Sequence, residues 1–324
     1  MGTDYSGSMS ECWLCPLLSF NCAPEIIDLD LDYRPASVEL AEAIQVKRAP
    51  SEFTDYLQEN HPDWVDAISA EYMAVLPRSV TRGDEITGVL AQMFEASNLL
   101  FDLVTAFRLC HGGIVAAGPL LPGIMKGSKF YVFRRNYVPS AFMEFLPDIS
   151  KAEVDSASLG LPEYEFSSSD VPIVNKLLRE IRNYRESSQF TALDEALRRF
   201  NSTYHGELED RLIDQMIAFE SLYIADDKEL GYKLALRAAF LLGKKRVKIF
   251  NDMKKAYDLR GQIVHGNKQV DSSKLEETIP KTEEYLRQSI RRFLSLSTQY
   301  SITEIRKQLD ENILKNGKTL ALRE

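Results

Sequence analysis

The sequence lacks any run of about 18 or more apolar residues, the minimum for a membrane-spanning helix, although 44% of its 324 residues are hydrophobic. Its first residues also lack a basic segment followed by an apolar one, which a secretory signal would show. The hydrophobic fraction is instead typical of a globular chain that buries a core. The length is enough for about two domains.

Cysteine is scarce, with four in 324 residues. Without a secretory signal, so few thiols predict a reducing, cytoplasmic setting. Cys12 and Cys15 have the spacing of half a zinc site. Cys22, with either Cys110 or His111, would be needed to complete the four ligands of a structural site. Because the sequence has no second CxxC pair, we expect no metal at these thiols, and no cofactor.

Several motifs of nucleotide-binding proteins and hydrolases are absent as well. The sequence contains no P-loop, GxGxxG, HExxH or GxSxG. These absences argue against a P-loop NTPase, a dinucleotide-dependent oxidoreductase, a zinc metalloprotease and an α/β-hydrolase. A metal-dependent enzyme in the N-terminal half remains a third hypothesis about function, with no convincing ligand set.

The charge is unevenly distributed along the chain, whose net charge is −9. Residues 190–324 contain 24 basic and 21 acidic side chains, a net charge of +3. Residues 1–189 contain the remaining 15 basic and 27 acidic side chains, a net charge of −12. A polyanion such as RNA is therefore expected to contact the C-terminal part.

The sequence of residues 1–170 predicts a mixed α/β or β-rich domain. Residues 27–33 alternate between apolar and acidic, which is typical of a half-buried strand. Residues 99–107 are almost continuously apolar and fit either a buried strand or a buried helix. A glycine pair after His111 indicates a turn, and residues 129–134 are rich in the aromatic and β-branched types that favour strands.

Residues 161–170 are polar, with a proline and a serine run, and are the best candidate for a linker. Pro172 then suits the first turn of a helix. From there apolar residues recur at spacings of three and four, which predicts an antiparallel helical bundle over residues 171–300. Residues 301–324 are interpreted as a helical tail. The residues of the apolar stripes are Phe190, Leu193, Leu197, Phe200, Leu208, Leu212, Met216, Phe219, Tyr223, Leu230, Leu234, Leu241, Phe250, Met253, Tyr257, Leu286, Ile290, Phe293 and Leu294.

The start of the last bundle helix is predicted from two signals that conflict. Ser273 and Glu276 have the spacing of a capping box, which favours a helix start at this point. Pro280 lies within the same segment, and it predicts a break or a kink in the helix.

One segment combines the residues of a possible catalytic site. Arg260 and His265 are separated by four residues, and Gly266 after the histidine predicts the end of a helix. This Arg-x4-His pattern, together with residues 209–214, 218–223 and 234–243, resembles the Apea-like branch of the HEPN superfamily over roughly residues 190–300. The resemblance implies a metal-independent endoribonuclease and a homodimer in which two motifs meet. It also implies an effector of bacterial defence against phage, or a toxin.

The chemistry of RNA cleavage requires these residue types. The 2′-OH of RNA attacks the neighbouring phosphorus when a group with a near-neutral pKa moves the protons, which a histidine can do. An arginine binds the phosphate through two parallel hydrogen bonds and stabilises its developing charge. Five residues at about 100° each place Arg260 and His265 about 140° apart on a continuous helix. We therefore expect the helix to end after His265, so that this side chain can turn toward Arg260.

Gly261 departs from the family pattern, in which a polar residue typically follows the arginine. Asp258 and Gln262 are the nearby polar substitutes, and Asp258, Glu220 and Glu209 are the possible ion-pair partners of Arg260. The alternative hypothesis is a non-catalytic HEPN module for dimerisation or partner binding. The candidate RNA-binding residues form a basic cluster before the motif: Lys244, Lys245, Arg246 and Lys248.

Overall fold

The computed structural model describes most of the chain. The described residues are 9–23, 26–29, 44–63, 68–77, 86–126, 129–132, 162–187, 192–225, 230–243, 245–266 and 270–315. They form two compact units, Met1–Arg179 (unit 1) and Glu180–Glu324 (unit 2). Helices and an antiparallel sheet occur together, so the predicted α+β class is confirmed at this level. Within these described residues no helix is both long and apolar enough to cross a membrane.

Unit 1 is built on a sheet in which strands run in the order β3-β4-β5-β1-β7-β8, with β6 also paired to β1. Every pairing in this sheet is antiparallel. A separate parallel pair joins β2 to β9. The strands are β1 Met9–Leu18, β2 Phe20–Cys22, β3 Ile26–Leu29, β4 Ile44–Arg48, β5 Tyr72–Pro77, β6 Ala116–Ala117, β7 Leu121–Lys126, β8 Lys129–Val132 and β9 Tyr164–Phe166.

The central strand β1 is buried on both faces. Its side chains alternate, so Cys12 and Leu14 lie on one face, in a core that includes Phe53 and Leu57 of the helix that follows β4. Trp13 belongs to the opposite face and is 2% exposed. Burial on both faces explains why this strand is almost continuously apolar rather than alternating with polar residues.

Among its described residues, unit 1 contains three helices wholly or in part: α1 Ser51–Asn60, α2 Ile86–Cys110 and α3 Val171–Ser187. The unit boundary falls within α3, and Pro172 occupies its first turn as predicted. The ambiguous apolar run of residues 99–107 is helical, since it belongs to α2. The predicted strands are confirmed at Ile27–Leu29 and Lys129–Val132, and the remaining residues of both predictions lie outside the described stretches.

The linker prediction for residues 161–170 is wrong for part of its length. Tyr164 and Phe166 belong to β9 and are almost completely buried, at 0% and 2% exposure. Their rings pack with Phe20 and Phe107 in an aromatic cluster. A three-residue strand is too short to produce a periodic pattern, so the polar residues around Tyr164 and Phe166 made the segment resemble a linker.

Unit 2 contains six further helices within its described residues: α4 Ala192–Ser202, α5 Leu208–Tyr223, α6 Leu230–Leu242, α7 Arg246–His265, α8 Ser272–Ser297 and α9 Ile302–Leu314. Side-chain contacts show that α4 and α5 run antiparallel, since Arg199 binds Asp214 while Arg211 bonds Thr203 O. The predicted apolar stripes on these helices are largely buried. Phe190 of the first stripe lies outside the described residues.

Helix α8 corrects two sequence-based expectations. Its N-cap is Asp271, which accepts a hydrogen bond from Ser273 N at 3.0 Å, and not the predicted Ser273 box with Glu276. The helix also continues through Pro280 without the expected break. Gln215 of α5 donates to Ile279 O before the proline and accepts from the Thr282 hydroxyl after it, and these contacts help to offset the cost of about 3 kcal/mol.

The predicted helical tail is confirmed at α9, which packs on other helices of unit 2, while residues 316–324 lie outside the described residues. Ser301 and Glu304 form a capping box at its start. Arg306 donates to the carbonyl oxygens of Ser221 and Leu222, which have no intrahelical partner at the end of α5. Asp310 accepts two hydrogen bonds of 2.8 Å from Arg237 of α6. The described part of this segment is therefore an integral helix of unit 2.

Candidate functional site

Helix α7 carries the Arg-x4-His pattern in its last turns. It ends at His265, and Gly266 adopts a left-handed conformation with φ +61. The Gly266 N–H donates to Ile263 O at 3.1 Å, which satisfies one carbonyl of the last turn. The predicted helix end after His265 is confirmed. Glycine is favoured at position 266 because its missing Cβ removes the penalty of a positive φ.

The expected approach of His265 toward Arg260 is not observed. Both residues belong to the same continuous helix, so their directions differ by about 140°. Arg260 faces α5, where its Nη2 lies 3.8 Å from Glu220 Oε2. His265 is exposed at the helix end, and no hydrogen bond or ion pair among the described residues joins it to Arg260. The left-handed turn begins only after His265, so it does not redirect this side chain.

Arg260 and Glu220 form a half-buried charged pair, with side chains 25% and 23% exposed. Arg260 Nε and Glu220 Oε1 are buried and have no hydrogen-bond partner among the described residues. The pair therefore keeps unused hydrogen-bonding capacity on both members. An unsatisfied buried polar atom is costly, and such atoms often mark places where a ligand or an ordered water completes the network.

Tyr257 belongs to the same cluster, and sequence reasoning about the site did not include it. Burial is the main cause that raises the pKa of its hydroxyl. The negative charge of Glu220 adds to that increase in pKa, while Arg260 opposes it. The sequence indicates this proximity through the spacing of Tyr257 and Arg260, because residues three apart on a helix are neighbours on its surface.

A groove of about 590 Å³ runs between the start of α6 and the middle of α7. It is lined by Leu230, Gly231, Tyr232, Lys254, Tyr257 and Asp258. On an ideal helix, Asp258 and His265 lie about 20° apart, so they share one stripe, whereas Tyr257 lies nearer to Arg260. The exposed face of α7 that includes the groove is thus bordered by Arg260 on one side and His265 on the other.

Gly261 lies in the sector between Arg260 and His265. A Cβ built at this position would meet no atom within 4 Å. The helix backbone is therefore open to a ligand between the two candidate residues. Gln262, proposed as a polar substitute, is exposed, and Asp258 is exposed at the groove. Neither makes a hydrogen bond or an ion pair with Arg260 among the described residues.

The basic cluster lies at the opposite end of α7 from the Arg-x4-His pattern. Lys244 lies outside the described residues, and Lys245 is the exposed N-cap residue with φ +57. The guanidinium carbon of Arg246 lies 4.4 Å from the centre of the Phe240 ring. Lys248 pairs with Asp252 at 2.6 Å, which partly neutralises it. Twelve residues of helix separate Lys248 from Arg260, roughly 18 Å, so one phosphate cannot contact both.

The structure excludes a shared metal site at Cys12 and Cys15. Both lie in strand β1, where residues three apart point to opposite faces of the sheet. Cys15 is fully buried and its Sγ lies 3.3 Å from Gly118 O. Burial raises the pKa of the Cys22 thiol to about 11, which disfavours the thiolate that a metal requires. The spacing of Cys12 and Cys15 therefore does not indicate a metal site.

No protein-family model, curated protein or solved structure matches this chain in the comparisons made. The residues of α7 and the helices around it form a half-buried arginine–glutamate pair, an adjacent tyrosine, an open glycine and an exposed histidine at a helix end.

Proposed function

We propose that the chain is a metal-independent endoribonuclease of the HEPN type, with a helical HEPN-like bundle in unit 2. The supporting observation is the arrangement on α7, where Arg260 and His265 border an open sector of the helix around Gly261. The wider role proposed from the family resemblance is bacterial defence against phage, or a toxin. Unit 1 would then sense a trigger or hold the nuclease inactive.

Arg260 is assigned the binding of the scissile phosphate. Its side chain is 25% exposed, and its ion-pair contact with Glu220, from Nη2, is a long 3.8 Å. The guanidinium thus keeps donors for two parallel hydrogen bonds to phosphate oxygens. Glu220 of α5 is assigned a positioning role, because its contact with Arg260 orients the guanidinium. Stabilisation of developing charge of this kind contributes about 10²–10³ in rate.

His265 is assigned the proton transfers. It accepts the proton of the 2′-OH as this oxygen attacks phosphorus, and it returns a proton to the departing 5′-oxygen. His265 is exposed at the end of its helix, so an RNA strand in solvent can reach it. Groups that move protons in this way contribute about 10²–10⁴ in rate.

The Arg260 and His265 side chains point about 140° apart on an ideal helix, so one chain alone does not complete the site. A phosphate bound by Arg260 is not directly adjacent to His265 of the same helix. We infer a homodimer in which the α7 helices of two chains face each other, so that the histidine of one serves the arginine of the other. Val264, next to His265, is 51% exposed and offers apolar surface for such a contact.

The test is RNA cleavage by purified protein in the presence of EDTA. Arg260→Ala and His265→Ala should each reduce cleavage by at least about 100-fold. Arg260→Lys should recover little, because lysine lacks the planar fork of donors. Matched controls are Arg292→Ala, an exposed arginine of α8, and His61→Ala in unit 1, both expected to cleave normally.

The fold is checked on the same samples by circular dichroism and melting temperature. The Arg260–Glu220 pair is partly exposed, and such pairs contribute about 0–1 kcal/mol, so the alanine variant should melt near the wild type. Wild-type protein that cleaves no RNA, or alanine variants that cleave as well as wild type, would refute the assignment.

A non-catalytic module for dimerisation or partner binding is the second candidate. Gly261 favours it, since the family pattern has a polar residue at the position after the arginine. Tyr232 is 53% exposed at the groove and also suits a binding surface. Gly261→Asn separates the two candidates, because the open space accepts the side chain. Cleavage that appears only in this variant would assign the natural chain to the binding module.

A further inference from the structure

Three potential metal ligands converge in unit 1, far along the chain from the Arg-x4-His pattern. Cys110 is the last residue of α2, His111 follows it, and Asp170 directly precedes α3. One ligand atom from each residue lies within 4.8 Å of the other two. Cys110 is buried, whereas the side chains of His111 and Asp170 are 35% and 16% exposed.

The His111 ring is held in one orientation with a defined tautomer. Its Nδ1 lies 2.9 Å from Gly112 O, and a carbonyl only accepts hydrogen bonds, so Nδ1 carries the hydrogen. The ring stacks on Tyr164, with 4.2 Å between centres and 10° between planes. Tyr164 is in turn fixed by a 2.7 Å hydrogen bond from its hydroxyl to Phe107 O. Nε2 is therefore the ring nitrogen available for a ligand.

Nε2 faces a carboxylate oxygen at a distance that favours a metal between them. His111 Nε2 lies 3.6 Å from Asp170 Oδ2, which is longer than a hydrogen bond. With bonds of about 2.0–2.1 Å, the edge of a tetrahedron around zinc is roughly 3.4 Å. The C-terminal end of α2 adds a negative potential at the same place, which favours a cation there.

The carboxylate of Asp170 is oriented by its neighbours. Ser167 donates to Oδ2 through its backbone N–H at 2.9 Å and through its hydroxyl at 2.7 Å. The Ser167 hydroxyl also lies 2.7 Å from the Ser169 hydroxyl. Hydrogen bonds of this kind around a site orient metal ligands and raise affinity by about 10–100-fold. The three candidate ligands are thus supported by a stacked ring on one side and a serine turn on the other.

We propose that Cys110 Sγ, His111 Nε2 and the Asp170 carboxylate bind a zinc ion. Sulfur, imidazole nitrogen and carboxylate oxygen are a ligand set of zinc, whereas magnesium and calcium take oxygen ligands. Binding releases the thiol proton of Cys110 to solvent. Three protein ligands leave a fourth position for water, which reaches the site beside the partly exposed His111.

This site is independent of the proposed ribonuclease activity, and its readout is metal content. The full-length protein is stripped with chelator, dialysed and titrated with Zn²⁺, and bound metal is measured by elemental analysis. One zinc per chain is expected. Co²⁺ in place of zinc should give a thiolate-to-metal charge-transfer band in the near ultraviolet, because Cys110 supplies sulfur.

Variants locate the metal. Cys110→Ser, His111→Gln and Asp170→Asn should each weaken zinc binding by more than the roughly 10–100-fold that loss of a supporting hydrogen bond costs. Ser167→Ala should fall within that smaller range. Cys22→Ala, a buried thiol of the same unit, is the matched control and should bind zinc as wild type does.

Zinc should also raise the melting temperature of the wild type and of Cys22→Ala, because a ligand that binds only the folded state stabilises it. The increase should disappear in His111→Gln, whose partly exposed side chain makes it the variant least able to disturb folding. Folded wild-type protein that binds no zinc would show that His111 and Asp170 are a simple ion pair. Unchanged affinity in His111→Gln or Asp170→Asn would equally overturn the site.

Discussion

Two glycines on neighbouring helices should respond in opposite ways to the same substitution. Gly261 in α7 has open space around its missing Cβ, with no atom within 4 Å. Gly231 at the start of α6 packs against Tyr257, and a Cβ there would lie 2.6 Å from Tyr257 Cδ1. The structure therefore predicts that alanine stabilises unit 2 at one position and destabilises it at the other.

The expected magnitudes follow from helix propensity and packing. Alanine is more favourable than glycine inside a helix by about 0.8–1.0 kcal/mol, so Gly261→Ala should raise the free energy of unfolding by about 0.5–1 kcal/mol. Gly231→Ala forces the Tyr257 ring or the helices apart, and overpacking typically costs about 1–3 kcal/mol. The gain in propensity offsets only part of that cost, because Gly231 is the second residue of its helix. When this gain is subtracted from the cost of overpacking, Gly231→Ala is expected to lower the free energy of unfolding by roughly 1–2 kcal/mol.

Urea denaturation followed by two probes separates the units. Trp13 is 2% exposed within unit 1, so its fluorescence reports the unfolding of that unit. Far-ultraviolet circular dichroism is dominated by helices, and most of the helices in the described part of the chain are in unit 2. Only the circular dichroism midpoint should move, upward for Gly261→Ala and downward for Gly231→Ala. Combining Gly231→Ala with Tyr257→Leu should recover part of the loss if the ring causes it.

Equal stabilisation by both alanine substitutions would refute this reasoning. It would mean that α6 and α7 are not in close contact at Gly231, and that the groove beside Tyr257 has a different shape. Tyr257 would then not connect the groove to Glu220 and Arg260.

Three further predictions concern unit 2. Glu283→Ala should lower the free energy of unfolding by about 3–5 kcal/mol, because it leaves the buried Arg211 and Arg287 without their shared carboxylate. An unchanged midpoint in urea denaturation would contradict this. Pairing with two lysines lowers the pKa of Glu277 from 4.5 to about 2, so its stabilising effect is present above pH 4.5 and is lost as the pH falls toward 2. Glu277→Gln should flatten that acid dependence slightly at low salt and leave it unchanged at high salt, where the exposed pair is screened. Light scattering at micromolar concentration should find a homodimer, and a monomer would count against the composite site.

The sequence alone determined the features that depend on local chemistry. Spacings of three and four in apolar residues predicted the helices of unit 2, because one face of a helix must be buried whatever its neighbours are. Gly266 predicted the end of α7, because a positive φ is penalised in residues with a Cβ. The strand at residues 129–132 followed from side-chain type in the same way.

The tertiary structure decided everything that depends on which elements meet. The sequence allows several acidic partners for Arg260, and only the packing of α5 against α7 determines that the partner is Glu220. Asp170 lies in a segment whose composition resembles a linker, yet the fold places its carboxylate beside His111. Pro280 lies inside a continuous helix because contacts with α5 offset a local penalty. Local signals fix the type of an element, whereas its partners depend on contacts between residues far apart in the chain, which no spacing in the sequence records.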